Sequence, residues 1–175
     1  MKKILWIHWR WTDLSKWESA WFARKIDFEK RWYHIDLPQF DTAYDPTYES
    51  WEETLKTLDI ESYYCIVTTS HWGWVIINYL KENNLSVPKL IIVCPGKSIN
   101  PKNNMWTFYT QLLNKDINLS SQVKEIYVLH SKDDDLVPFE NWKEIAKKIW
   151  AQFIECNWLW HKFRWEWIKI VNDLV

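Results

Sequence analysis

The sequence predicts a single α/β domain: a doubly wound parallel sheet of about six strands with helices on both faces. Three observations carry this. Short apolar, β-branched runs alternate with helical patterns along the whole chain, and such alternation builds parallel sheets covered on both sides. A length of 175 residues suits one full core, and no linker, internal repeat or low-complexity run divides residues 1–175. The third apolar run, Cys65 to Thr69, breaks at Ser70 and continues with Val75, Ile76, Tyr79 and Leu80 at helical spacing. That is a buried strand turning sharply into a helix.

Lys3 to His8 is an apolar strand ending in the loop His8-Trp-Arg-Trp-Thr-Asp13, and a helix follows from about Lys16 to Arg31. Tyr33 to Asp36 is a short second strand stopped by Leu37-Pro38, and Gln39 to Tyr48 is a polar loop. Ser50 with Glu53 three residues on has capping-box spacing, so a helix is expected from there to about Leu58. The helix after Ser70 stops near Asn83-Asn84. Pro88 opens a fourth strand, Lys89 to Cys94, closed by Pro95-Gly96. Lys97 to Gln122 is a mixed excursion over the sheet edge with one helix, Asn104 to Leu113. Glu125 to His130 is the fifth strand, Pro138 opens a helix to Ile149, Ala151 to Cys156 is the sixth strand, and Phe163 to Leu174 closes the chain as a helix.

Composition narrows the partners. With 22 basic and 23 acidic residues the net charge is −1, which argues against nucleic acid. No apolar run approaches the roughly 18 residues of a membrane span, and Met-Lys-Lys-Ile-Leu-Trp-Ile-His8 turns polar too soon for a signal peptide. The expectation is a cytoplasmic protein that takes a small molecule, with no membrane partner and with any protein partner left open. Cys65, Cys94 and Cys156 are widely spaced in apolar surroundings and read as buried free thiols. His8, His34, His71 and His130 lack metal-ligand spacing, and neither phosphate-binding glycine motif is present, so no metal or cofactor is expected.

The chain has 16 Trp and 2 Gly, against an ordinary glycine usage of about 7%, or roughly a dozen. The tryptophans fall where chain geometry asks for glycine. Trp32 and Trp150 follow helices at the position that favours a left-handed residue, and Trp9, Trp11, Trp158 and Trp160 alternate through loops as glycines do. The hypothesis is that Trp9, Trp11, Trp32, Trp72, Trp74, Trp150, Trp158 and Trp160, with Trp142, Trp165 and Trp167 as further candidates, stand for UGA codons read as glycine. Trp51 and Trp106 fit ordinary helical patterns. UGG codons at Trp72, Trp150 and Trp160 would sink the idea.

The loops at the carboxyl ends of the strands hold the chemistry. Ser70 follows the third strand, His130-Ser-Lys-Asp-Asp-Asp-Leu-Val-Pro138 the fifth, and Asn157-Trp-Leu-Trp-His161-Lys-Phe163 the sixth. Taken singly, each has a plainer reading: Ser70 as a helix N-cap, Asp133 to Asp135 as a solvated charge run or cation site, His161 as a surface histidine. Together they give the order Ser, Asp, His found in hydrolases with a nucleophile at a strand-to-helix bend. The expected pattern there, G-x-S-x-G, reads Thr68-Thr69-Ser70-His71-Trp72, and an indole at position 72 is expected to collide with the neighbouring strand.

These segments resemble the small lidless α/β-hydrolases of the retinoblastoma-binding-protein-9 and YdeN type over nearly the whole length. The resemblance is carried by Ile7-His8-Trp-Arg-Trp11 for a His-Gly-x-Gly loop, Asp36-Leu37-Pro38, Tyr48-Glu-Ser-Trp51, Ser70-His-Trp-Gly-Trp74, Asp134-Asp-Leu-Val-Pro138 for Asp-x-x-Val-Pro, and Trp160-His161-Lys-Phe163 for Gly-His-x-Phe. It implies strand order 2-1-3-4-5-6 and a carboxylesterase-like serine hydrolase needing no cofactor. Ser70 would be the nucleophile, His161 the base and Asp134 its partner, with backbone amides of His71 and of Trp9 or Arg10 facing the oxyanion. Two other readings stand beside it: a catalytically silent interaction protein on the same fold, and a tryptophan-rich carbohydrate-binding module.

Overall fold

The computed structural model describes residues 1–7, 32–40, 48–95, 117–135, 137, 139–157 and 165–175. The apolar runs become β1 (Lys2–Ile7), β2 (Tyr33–Asp36), β3 (Cys65–Thr69), β4 (Val87–Val93), β5 (Val123–Ser131) and β6 (Gln152–Cys156). All five pairings are parallel, in the order β2-β1-β3-β4-β5-β6. The helices are α1 (Tyr48–Lys56), α2 (Trp72–Glu82), α3 (Phe139–Lys148) and α4 (Trp165–Leu174), with a short 3-10 turn at Ile60–Ser62.

The central strands are buried on both faces, which is why they read as continuous apolar runs with no alternation. Leu5, Ile7, Ile66, Leu90, Ile92 and Val128 face one layer, packed with Trp51 and Leu55 of α1, Ile76 and Leu80 of α2 and Ile145 of α3. Ile4, Trp6, Cys65, Val67, Ile91, Val93 and Leu129 face the other, against Trp167, Ile168 and Val171 of α4. All three cysteines are buried and none is in a disulfide.

The strands fall within two residues of their expected bounds, but α1 begins at Tyr48, so Ser50 lies inside the helix and no capping box opens there. The reason is packing: Tyr48, Trp51 and Leu55 form one stripe against the core, and the helix extends far enough back to include its first member. The expected helices at 16–31 and 104–113, and Pro138, lie outside the described residues.

Two helix ends show how backbone geometry constrains side chains. After α2, the Leu85 amide donates to the Leu80 carbonyl and the Asn84 amide to Lys81, with Asn84 at φ 50. After α3, the Ala151 amide donates to Ala146 and the Trp150 amide to Lys147, with Trp150 at φ 62. Both are Schellman ends with a left-handed residue at C′. Asparagine tolerates that conformation through its short polar side chain; tryptophan has no such group, and the residue is 73% exposed.

Candidate active site

The carboxyl edge of the sheet is stitched by backbone bonds: the Ser70 amide donates to Val93 (3.1 Å), Cys94 to Leu129 (2.9 Å) and Lys132 to Cys156 (2.9 Å). The ends of β3 and β5 therefore stand on the same edge with β4 between them, about 10 Å apart at ordinary strand spacing.

Ser70 lies just beyond β3 at φ 56, a left-handed conformation uncommon for a residue with a side chain. The Gly73 amide donates to its carbonyl at 3.3 Å and the Trp74 amide to that of His71 at 3.1 Å, so the chain coils into α2 at once. The cap position falls on His71, already helical at φ −57 and ψ −28 with no side-chain cap bond, which leaves Ser70 outside the helix and removes the plain N-cap reading. The Ser70 hydroxyl and His71 Nδ1 are 3.1 Å apart. Ser70 is 1% exposed, so its hydroxyl points into packed surroundings.

The close approach of α2 to the sheet is made at Gly73. A Cβ there would lie 2.6 Å from Ile92 Cγ2 on β4. This corrects the expectation for Trp72. Its indole instead packs into a buried aromatic cluster, 4.0 Å between ring centres from Trp51 and 4.0 Å from Phe40. Both separations are below the usual range of about 4.5–7 Å, and the indole N–H is buried with no hydrogen-bond partner among the described residues. Trp74 packs on Trp142 at 4.8 Å.

The β5 loop is folded around Asp134. Its amide donates to the Ser131 carbonyl (3.2 Å), its Oδ1 accepts the Val137 amide (2.9 Å), and its side chain is wholly buried. His130 Nδ1 is 3.7 Å from Asp134 Oδ2, and His130 Nε2 is 3.2 Å from the Val137 carbonyl. Asp133 takes a different partner, the Ser131 hydroxyl, while Asp135 is exposed. The triple aspartate is thus not a uniform solvated run. Burial above all, with the charges of Asp134, Cys156 and Asp133, pushes the Cys94 thiol at the end of β4 well above its ordinary range.

Of the anticipated site residues, Ser70, His71 and Asp134 lie on this edge; Trp9, Arg10 and His161 lie outside the described residues. Residues 8–31 follow β1 and residues 158–164 follow β6, both strands running to the same edge. The sequence reading passed over Gly73 and His130. A glycine three residues after the serine, and a His and Asp four apart across a strand end, were the available signals.

No family profile and no curated protein matches the chain by sequence. Among solved structures, the ydeN gene product of B. subtilis superposes with a TM-score of 0.77 at 20% identity, over 99% of this chain and 96% of that one. The chain has the α/β-hydrolase fold. Within that fold it is also similar to α/β-hydrolase domain-containing protein 10 from mouse, with a TM-score of 0.74 at 13% identity over 98% of this chain and 87% of the other. An esterase domain from a Rhodothermus marinus protein superposes with a TM-score of 0.69 at 11% identity, over 99% of this chain and 84% of that one. Ser70 lies on the bend that follows the third strand of this sheet.

Proposed function

We propose that this protein is a serine hydrolase acting on a small carboxylic ester or related acyl compound. The observation that carries the reading is Ser70 at φ 56 on the bend from β3 to α2, with Gly73 supplying the close approach behind it. A strained, non-glycine residue at a strand-to-helix turn is the geometry that presents a nucleophile. The Ser70 oxygen attacks the acyl carbon while His161 accepts its proton. His161 then returns that proton to the leaving oxygen, giving an acyl-enzyme. Water repeats the sequence and frees the acid. Asp134 holds the tautomer of His161, and the amides of His71 and of Trp9 or Arg10 face the developing oxyanion. Neighbours named as hydrolases and an esterase support the class.

The same reading includes glycine at the eight tryptophan positions named first above, because a wide oxyanion loop and an uncrowded elbow both need it. Support comes from the left-handed Trp150, the 84% exposed Trp32 and the close ring contacts of Trp72.

A fluorophosphonate probe tests the chemistry. The glycine-restored protein should label, Ser70→Ala should not, and His161→Ala should label far more slowly. Labelling that survives Ser70→Ala overturns the nucleophile. Loss in His71→Ala together with retention in His161→Ala would make the neighbouring ring the base.

A further inference from the structure

Among the described residues, the basic side chain that faces the buried Asp134 carboxylate is His130, one strand residue before the turn. The Val137 carbonyl can only accept, so the 3.2 Å contact to it requires a proton on His130 Nε2. That leaves Nδ1 turned toward Asp134 Oδ2 at 3.7 Å, with both side chains wholly buried. A bare nitrogen lone pair facing a carboxylate is repulsive, whereas an N–H there supplies the charge complement that a buried carboxylate needs. The two contacts also close a ring. His130 holds the Val137 carbonyl while Asp134 Oδ1 holds the amide of the same residue at 2.9 Å. One imidazole therefore braces both the loop and the acid.

The surroundings agree with that role. The Cys94 thiol at the end of β4 lies close enough to feel the charges of both Asp134 and Asp133. The Phe139 ring of α3 stacks at 5.9 Å and keeps the histidine in plane. Nothing in the serine-hydrolase chemistry described above uses His130. We infer that His130 is a positioning residue, aiming Asp134 through Nδ1; this rests on the serine-hydrolase reading.

The test separates its two nitrogens. In His130→Gln the side-chain amide can replace Nε2 on Val137 but not Nδ1 on Asp134; in His130→Asn it can replace Nδ1 but not Nε2. In the glycine-restored protein, with an activated ester, His130→Gln should lower kcat roughly ten- to hundredfold with KM unchanged, and His130→Asn should retain most of it. In an Asp134→Asn background the His130→Gln change should have almost no further effect, since a residue acting through Asp134 has nothing left to act on. Equal losses in Gln and Asn, or full additivity with Asp134→Asn, overturn the inference while leaving the hydrolase reading intact. A parent protein that labels at Ser70 secures the reading first; one that does not label fails the reading and takes the inference with it.

Discussion

Ser70 and Asp134 differ in how much of their role could be read from residue type. Ser70 was legible because a β-branched run stops there and a helical pattern starts, and only a bend joins the two. Asp134 was chosen from three consecutive aspartates by its distance to Val137-Pro138, and each of the three now has a distinct environment: Asp133 on a hydroxyl, Asp134 buried on the Val137 amide, Asp135 exposed. Asp134→Asn should lose kcat by on the order of a thousandfold or more with little change in KM, whereas Asp135→Asn should stay near the parent. Steady-state kinetics on the three single variants decides it. A crippled Asp133→Asn beside an active Asp134→Asn would shift the register by one. The spacing of His130 to Asp134 was legible but its contacts were not, because they arise only when a strand end and a turn fold back on each other.

Elements show a second limit. Strands announced themselves through apolar runs buried on both faces, but α1 did not announce its start, since Ser50 and Glu53 mimic a cap two residues inside it. Local chemistry yielded to the stripe of Tyr48, Trp51 and Leu55. The C-terminus of α3 is the converse case, where the sequence pattern asks for glycine and the backbone adopts glycine's geometry around Trp150. A left-handed conformation costs a residue with a Cβ roughly 1–2 kcal/mol, and an indole 73% exposed gives little burial in return. Trp150→Gly should therefore stabilise the protein by about 1 kcal/mol, and Trp150→Asn by somewhat less. Urea unfolding measures both. A destabilised glycine variant would show that the ring contributes more than its exposure suggests.

At the scale of the whole molecule, the two scarce glycines and sixteen tryptophans set the question of stability. Overpacking typically costs about 1–3 kcal/mol per site, and a domain of this kind holds only about 5–15 kcal/mol in total. Several crowded positions of that kind would therefore consume much of it. Restoring glycine at Trp9, Trp11, Trp32, Trp72, Trp74, Trp150, Trp158 and Trp160 should raise the melting temperature and bring out esterase turnover that the tryptophan form lacks. A tryptophan form that melts cooperatively and turns over ester as well as its glycine counterpart would end the recoding hypothesis.

The strand order also sets a schedule for the chain as it is made. β1 lies between β2 and β3, and from there the sheet grows outward one strand at a time through β4, β5 and β6. The Ser70 amide is held by Val93, so the bend has no anchor until residue 93 has emerged and β4 has paired. Asp134 comes some forty residues later still. A nascent chain therefore carries its serine on an unanchored turn for about one to five seconds at synthesis rates of about 5–20 residues per second. The left-handed twist at Ser70 is set from downstream, by the strand that arrives after it.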